Sequence, residues 1–84
     1  MSRIIVERSY DPPLTKEELA ATFDRVGGCL DMYGVRHIRS HLSTDRRRMF
    51  CEFEAADAQS VRDLQNAAKA PFVRVWPAEL IGEN

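Results

Sequence analysis

Four short segments of the chain predict β-strands: the second and third alternate apolar and polar residues, and the first and last are short runs of strand-forming residues. They cover residues 3–9, 35–43, 48–55 and 72–76. Turn residues separate them, because Asp11-Pro12-Pro13 follows the first segment and STDRR lies between the second and third. An even-length loop centred on Asp45-Arg46 would join the second and third segments as a β-hairpin. Pro77 follows the last strand.

Two intervening segments carry apolar residues at helical spacing. Thr15 and Glu18 have the spacing of a capping box, so the first helix is expected to begin after Thr15. Its apolar face is formed by Leu19, Phe23, Val26 and Leu30; Gly27-Gly28 either ends or loosens it, and Gly34 closes the segment. Asp57 is the expected N-cap of a second helix, which presents Val61, Leu64 and Ala68 on one face and ends by Pro71.

The resulting order, β-α-β-β-α-β, is that of the ferredoxin-like α+β fold. Right-handed crossovers then predict a four-stranded antiparallel sheet in the order 4-1-3-2, with both helices on one face. Residues 1–84 are expected to form one domain, since no linker or repeat divides them. The other face of the sheet remains open.

Strand alternation assigns side chains to the two faces of this sheet. The helix-covered face receives Ile4, Val6, Ile38, Leu42, Met49, Cys51, Phe53, Val73 and Val75. The open face receives Ile5, Glu7, His37, Arg39, His41, Phe50, Glu52, Glu54, Phe72, Arg74 and Trp76. The hairpin register places three pairs opposite each other: His37 with Glu54, Arg39 with Glu52, and His41 with Phe50.

Several large apolar side chains fall on the open face, which favours burial against a second chain. Ile5, Phe50, Phe72 and Trp76 would otherwise form one contiguous apolar surface in water. We therefore expect a homodimer, a sandwich or α/β barrel, with Arg39 and Arg74 also at the interface. A solvated sheet surface with weak cross-strand ion pairs is the alternative.

Carboxylates and imidazoles covered by such an interface need partners, and they suit a divalent metal or a small polar ligand. The candidate ligands are His37, His41, Glu7, Glu52 and Glu54. His37 and His41 lie about 13 Å apart along a strand, at 3.3 Å per residue, so they cannot bind one ion together. One histidine would need a cross-strand glutamate or groups from the second subunit.

Composition narrows the class of protein. The chain has 12 basic and 13 acidic residues and a formal net charge of −1, so no overall field attracts nucleic acid or anionic lipid. Its two cysteines, Cys29 and Cys51, lie outside any zinc-binding spacing and are expected to be reduced and mostly buried. With no signal peptide or membrane-spanning run, a cytoplasmic location is expected.

Three stretches, IVERSYDPPLTKEEL, SHLSTDRRRMFCEFEA and AQSVRDL, resemble a small bacterial family described as nickel-binding-protein-like. The FCEFEA block is the most specific of them, and the similarity runs from Ile4 to Leu64. The resemblance implies a dimeric α+β fold and nickel, or another divalent metal, as the bound ion. Glu7, Cys51 and Glu54 match the family pattern, but Cys51 is expected to point into the core.

Two further functions compete with metal binding. Dimeric ferredoxin-like barrels include cofactor-poor enzymes, in which histidine and glutamate pairs act as acid and base. RNA-recognition modules share the order of elements, and RRRMFCEF resembles their third strand. Against RNA binding, the first strand presents Ile5 and Glu7 where a stacking aromatic residue is expected.

Overall fold

A computed structural model, which describes residues 1–82, contains four strands and two helices in the predicted order. The elements are β1 (Ser2–Ser9), α1 (Lys16–Tyr33), β2 (Arg36–Leu42), β3 (Arg48–Ala55), α2 (Ala58–Ala67) and β4 (Arg74–Ala78). All neighbouring strands pair antiparallel in the order β2-β3-β1-β4. The ferredoxin-like α+β fold and its sheet order are thereby confirmed. Neither helix in the described part has the length and apolar character needed to cross a membrane.

Both helices begin at the predicted caps. The Thr15 hydroxyl accepts a hydrogen bond from the Glu18 backbone N–H (3.1 Å), and the Asp57 carboxylate accepts one from the Ser60 N–H (2.8 Å). Helix α1 continues through Gly27-Gly28 and ends at Tyr33, where Gly34 adopts a left-handed conformation with φ 65°. That conformation favours glycine, so Gly34 is the residue that ends the helix.

The core lies between the helices and the inner face of the sheet. The helix-facing residues of β1 and β3 are fully enclosed, as the alternation predicts, and Val75 of β4 joins them. The buried cluster comprises Ile4, Val6, Leu14, Val26, Val35, Met49, Cys51, Phe53, Ala55, Val61, Leu64, Ala68, Ala70 and Val75. Cys29 is half-buried, and neither cysteine forms a disulfide. Arg8 also points to this side, although it is charged.

The β2–β3 hairpin is anchored to the segment that precedes α1. Backbone hydrogen bonds join Leu14 N–H to Arg46 C=O (2.9 Å) and Tyr10 N–H to Arg47 C=O (2.8 Å). In addition, Arg46 Nε donates to the Leu14 carbonyl at 2.6 Å. The hairpin keeps the even register expected from its sequence, with Leu42 opposite Met49.

The last strand begins later than predicted. β4 starts at Arg74 rather than at residue 72 and includes Pro77, which lies opposite Ile4. Proline is tolerated here because β4 is an edge strand. Two placements were consequently wrong: Phe72 lies before the strand and packs against the core, whereas Val73 is 53% exposed. Phe72 is therefore not part of the open face.

A β-bulge in β2 overturns another placement. His37 lies opposite Phe53, yet Arg39 lies opposite Glu52, so Ile38 is the extra residue between them. The bulge reverses the alternation, and His37 faces the helices while Arg39 and His41 face away. The expected pairing of His37 with Glu54 was therefore wrong, because Arg36 occupies that position. The pairings of Arg39 with Glu52 and His41 with Phe50 are confirmed.

Candidate functional site on the open face of the sheet

The open face is the helix-free side of the sheet, and three rows of its side chains, beside the shorter row of Ser9 and Arg48, run across the strands. One row contains Arg36, Glu54 and Arg3; the next contains Arg39, Glu52, Ile5 and Trp76; the third contains His41, Phe50, Glu7 and Arg74. These eleven residues comprise four arginines, three glutamates, one histidine and three apolar side chains. Basic and acidic groups thus alternate beside exposed aromatic rings.

Glu52 is the centre of this network. Its Oε1 accepts a hydrogen bond from Arg3 Nη1 at 2.8 Å, and its Oε2 lies 2.9 Å from His41 Nε2 and 3.6 Å from Arg39 Nε. The hydrogen bond from His41 is the main reason that the pKa of Glu52 is lowered, and Arg39 and Arg3 lower it further against the opposing effect of burial. Glu52 is therefore an ionised carboxylate with an imidazole nitrogen beside it.

The other two carboxylates of the open face also have partners. Glu54 is bonded to Arg36 and lies 3.9 Å from Arg3 Nη2, and the Arg36 bond is the main cause of its lowered pKa. Glu7 Oε2 accepts a hydrogen bond from Trp76 Nε1 at 2.6 Å and lies 3.6 Å from Arg74 Nε. The sequence reasoning placed both glutamates on the open face, but it did not identify Arg3 and Arg36 as partners of Glu54 or Trp76 as the donor to Glu7.

The aromatic residues of the open face are partly in contact with solvent. Phe50 is 41% exposed and Trp76 is 37% exposed. At the end of the β2–β3 ladder, Phe50 and His41 also line a mostly apolar cavity of about 300 Å³, together with Leu42, Ser43, Arg48 and Met49. The open face therefore carries exposed apolar surface, which makes it the candidate contact face of the chain.

His37 is separated from the other candidate ligands. Its ring lies between Phe23 of α1 and Phe53 of β3, with centroid distances of 5.6 and 5.2 Å. Nε2 shares a hydrogen bond with Ser40 Oγ (2.9 Å), and burial is the main cause of the lowered pKa of the imidazole. One signal in the sequence could have indicated this change of face: Val35 and Leu42 are both apolar but lie seven positions apart, so a regular strand could not direct both to the core.

The donor set of one chain is incomplete for a metal ion. Across residues 1–82, no cluster of three or more histidine, cysteine, aspartate or glutamate side chains has a metal-binding arrangement. The nearest approach is the pair of His41 Nε2 and Glu52 Oε2, an imidazole nitrogen and a carboxylate oxygen. Both donor types suit nickel and zinc, but two donors alone leave most coordination positions open.

Comparisons with known proteins agree with the resemblance found in the sequence. Residues 5–77 match the model of the family described as nickel responsive protein SCO4226-like. The fold is similar to the crystal structure of SCO4226 from Streptomyces coelicolor A3(2), with a TM-score of 0.85, 11% identity, and coverage of 96% of this chain and 100% of that one. No curated protein sequence matches significantly.

Proposed function

The chain belongs to the SCO4226-like family of nickel-responsive proteins, and from this premise we propose that it is a homodimer that binds nickel or a similar divalent ion at the open face. The observation that carries the proposal is the pair of His41 and Glu52, whose Nε2 and Oε2 atoms are 2.9 Å apart on that face. In this proposal, one chain supplies half of a metal site.

A second copy of the chain would complete the ligand set. In a twofold dimer the same surface of both chains forms the interface, so two histidine–glutamate pairs become available. Four donors of this kind are enough for a first coordination sphere of a divalent ion. Glu7 and Glu54 of the open face are the candidate further ligands. His37 is outside this set because it faces the helices.

The arginines explain how the face would remain stable without metal. Arg3 and Arg39 neutralise Glu52, so the carboxylate has cationic partners in the metal-free chain. An incoming divalent ion replaces those guanidinium contacts and meets a carboxylate that is already ionised. Metal affinity is therefore expected to rise when Arg39, the more distant of the two guanidinium groups, is changed to glutamine.

The apolar residues of the open face support self-association. Ile5 lies between Glu52 and Trp76 in the middle row, beside the exposed ring of Phe50 in the next row. A matching face from a second copy would remove these side chains from water and oppose glutamates to arginines across the interface. The predicted interface residues that remain on this face are Ile5, Phe50, Trp76, Arg39 and Arg74.

Calorimetric titration with NiCl₂ tests the metal site, and light scattering on the same samples tests the dimer. The wild-type chain should bind nickel with a defined stoichiometry and have twice the mass of the 9.6 kDa monomer. His41→Ala and Glu52→Gln should each lose most of the heat, whereas Glu17→Gln, an exposed change on α1, should not. Heat equal to the buffer blank would contradict metal binding, and a particle of monomer mass would contradict the dimer.

A further inference from the structure

We propose that a second site, on the helix side of the sheet, binds a small oxyanion, either a carboxylate or a phosphate. It is the cavity of about 460 Å³ at the C-terminal end of α2, lined by Gln65, Asn66, Lys69, Ala70, Pro71 and Phe72. This anion site, as we call it below, shares no residue with the open face. The inference is therefore independent of the proposed metal function.

A buried cation lies behind this cavity. Arg8 is the third helix-facing residue of β1, after Ile4 and Val6, and only 2% of it is exposed. Its Nη1 donates to the carbonyls of Pro71 (3.0 Å) and Ala70 (3.5 Å), and its Nη2 donates to Gln65 Oε1 (2.6 Å). Within residues 1–82, no carboxylate lies within salt-bridge distance of its guanidinium group. Buried charges are ordinarily paired with an opposite charge, and the Arg8 guanidinium has only neutral acceptors, so a bound anion would stabilise it.

Two buried donors at this place have no acceptor. They are Arg8 Nε and Gln65 Nε2, and both are covered by neighbouring atoms. The orientation of the Gln65 amide is fixed, because its Oε1 already accepts from Arg8 and its Nε2 must therefore point elsewhere. Gln65 is itself completely buried and lines the cavity. An unpaired N–H in such surroundings is costly, and an oxygen acceptor removes that cost.

The cavity lies at the C-terminus of α2, which by itself would repel an anion, but nearby guanidinium groups offset this effect. Helix ends of this kind carry partial negative charge on their free carbonyls. Here Arg25 donates to the carbonyls of Ala68 (2.8 Å) and Lys69 (3.3 Å), and Arg8 donates to the next two, so four consecutive carbonyls are capped by guanidinium groups. Lys69 adds a third cation at the cavity wall, and no acidic residue lines it.

An oxyanion fits this combination better than other small ligands. A metal ion would meet Lys69 at the wall and the buried Arg8 behind it, and an apolar ligand would leave both donors unpaired. Carboxylate and phosphate oxygens accept from planar N–H donors and from lysine. Because Arg8 Nε and Gln65 Nε2 are covered, the oxygen reaches them only after a small displacement of the 69–71 segment.

Side-chain ¹⁵N–¹H spectra of the full-length chain, recorded without nickel, test the site directly. The Gln65 amide and Arg8 Nε–H signals are followed while sodium acetate or sodium phosphate replaces sodium chloride at constant ionic strength. A saturable shift of both signals with either anion is expected, and the more effective of the two anions shows whether the site prefers a carboxylate or a phosphate. Shifts that do not saturate or that chloride reproduces would overturn the proposal.

Two variants and a matched control complete the test. Lys69→Gln should weaken the anion response at least tenfold, whereas Lys16→Gln, at the only other lysine of the chain, should leave it unchanged. Gln65→Glu keeps the size of the side chain and places a carboxylate beside Arg8, so it should abolish the response and raise the melting temperature. An unchanged anion-dependent shift in Lys69→Gln or Gln65→Glu would overturn the proposal. So would a persistent cross-peak from both donors to a bound water that neither anion alters.

Discussion

His37 and Phe53 lie opposite each other on the helix-covered side of the sheet, with ring centroids 5.2 Å apart. Phe23 of α1 contacts the other side of the imidazole, so the ring is held between two aromatic residues. The β-bulge at Ile38 creates this arrangement by reversing the alternation of β2. It removes one histidine from the candidate metal site and leaves it as a half-buried core residue.

The position of His37 predicts a pH dependence of stability. Burial lowers its pKa below the ordinary value of 6.5, so the unfolded chain takes up a proton at a higher pH than the folded chain does. The free energy of unfolding should therefore fall as the pH decreases through about 6.5. His37→Phe should remove much of that fall, measured by urea unfolding between pH 8 and pH 5. His41→Gln should keep the pH dependence that His37 contributes. The same dependence of unfolding free energy on pH in His37→Phe and wild type would contradict this role of His37.

Glu52 predicts a second pH dependence at lower pH. Its pKa lies below the model-peptide value of 4.5, so the stability that its ionised form contributes is present above that pH and is lost as the pH falls further. Glu52→Gln should lower the free energy of unfolding by about 1 to 2 kcal/mol at pH 7. The difference from wild type should shrink at pH 3, in thermal melts at both pH values. Glu17→Gln provides the exposed control, and a difference that grows in acid would contradict the prediction.

Loss of the buried arginine should be more damaging than loss of an exposed one. Arg8→Met leaves the carbonyls of Ala70 and Pro71 and the Gln65 side chain without their donor, which we expect to cost about 1 to 3 kcal/mol. Arg47→Met breaks only the exposed pair with Asp11 and should cost less than about 1 kcal/mol. Chemical denaturation measures both, and similar losses would contradict the role assigned to Arg8.

Two glycines of the α1 region should respond to alanine in opposite directions. Gly28 lies inside the helix with open space around its Cα, so Gly28→Ala should stabilise the chain by about 0.5 to 1 kcal/mol. Gly34 has a positive φ of 65°, and Gly34→Ala should destabilise it by about 1 kcal/mol or more. Thermal melts of the two variants measure the sign, and the same sign in both would contradict this view of the helix end.

Tryptophan fluorescence should report the association of chains. Trp76, the only tryptophan, is partly exposed on the open face and donates to Glu7. Its emission should shift to the red on dilution as the proposed dimer dissociates, in step with the mass from light scattering. Phe50→Asp should give the red-shifted emission at all concentrations, whereas Met32→Asp, on the exposed surface of α1, should behave as wild type. Emission that does not depend on concentration while the mass changes would contradict the location of the interface.

Much of the fold could be predicted because the local signals agree with one another. Strand alternation, the two N-caps and Gly34 fixed the element order, and right-handed crossovers then selected one sheet topology. The register of β2 against β3 was predictable only from the hairpin as far as Arg39. On the N-terminal side of the bulge, alternation counted back from Arg39 placed His37 on the wrong face. The extra residue, Ile38, shifts the phase of the strand by one position.

The site was predictable where it depended on alternation and not where it depended on packing. Glu52 and His41 reached the open face because β3 is regular and the hairpin register is even. Phe72 lies before the start of β4, so strand alternation does not apply to it. The Val73 N–H bonds to the Glu7 carbonyl there, and Phe72 packs against the core. Arg8 has the same phase as Ile4 and Val6, but its charge argued against burial, and its carbonyl partners come from a distant segment.

Pro77 has a consequence for larger assemblies. It lies in the outermost strand, where a further chain would have to find backbone donors in order to extend the sheet sideways. Proline has no N–H, and β4 has only five residues, so this border is a poor template for runaway fibre growth. Lateral growth through β4 is thereby disfavoured, and the broad open face is the surface left to the proposed dimer.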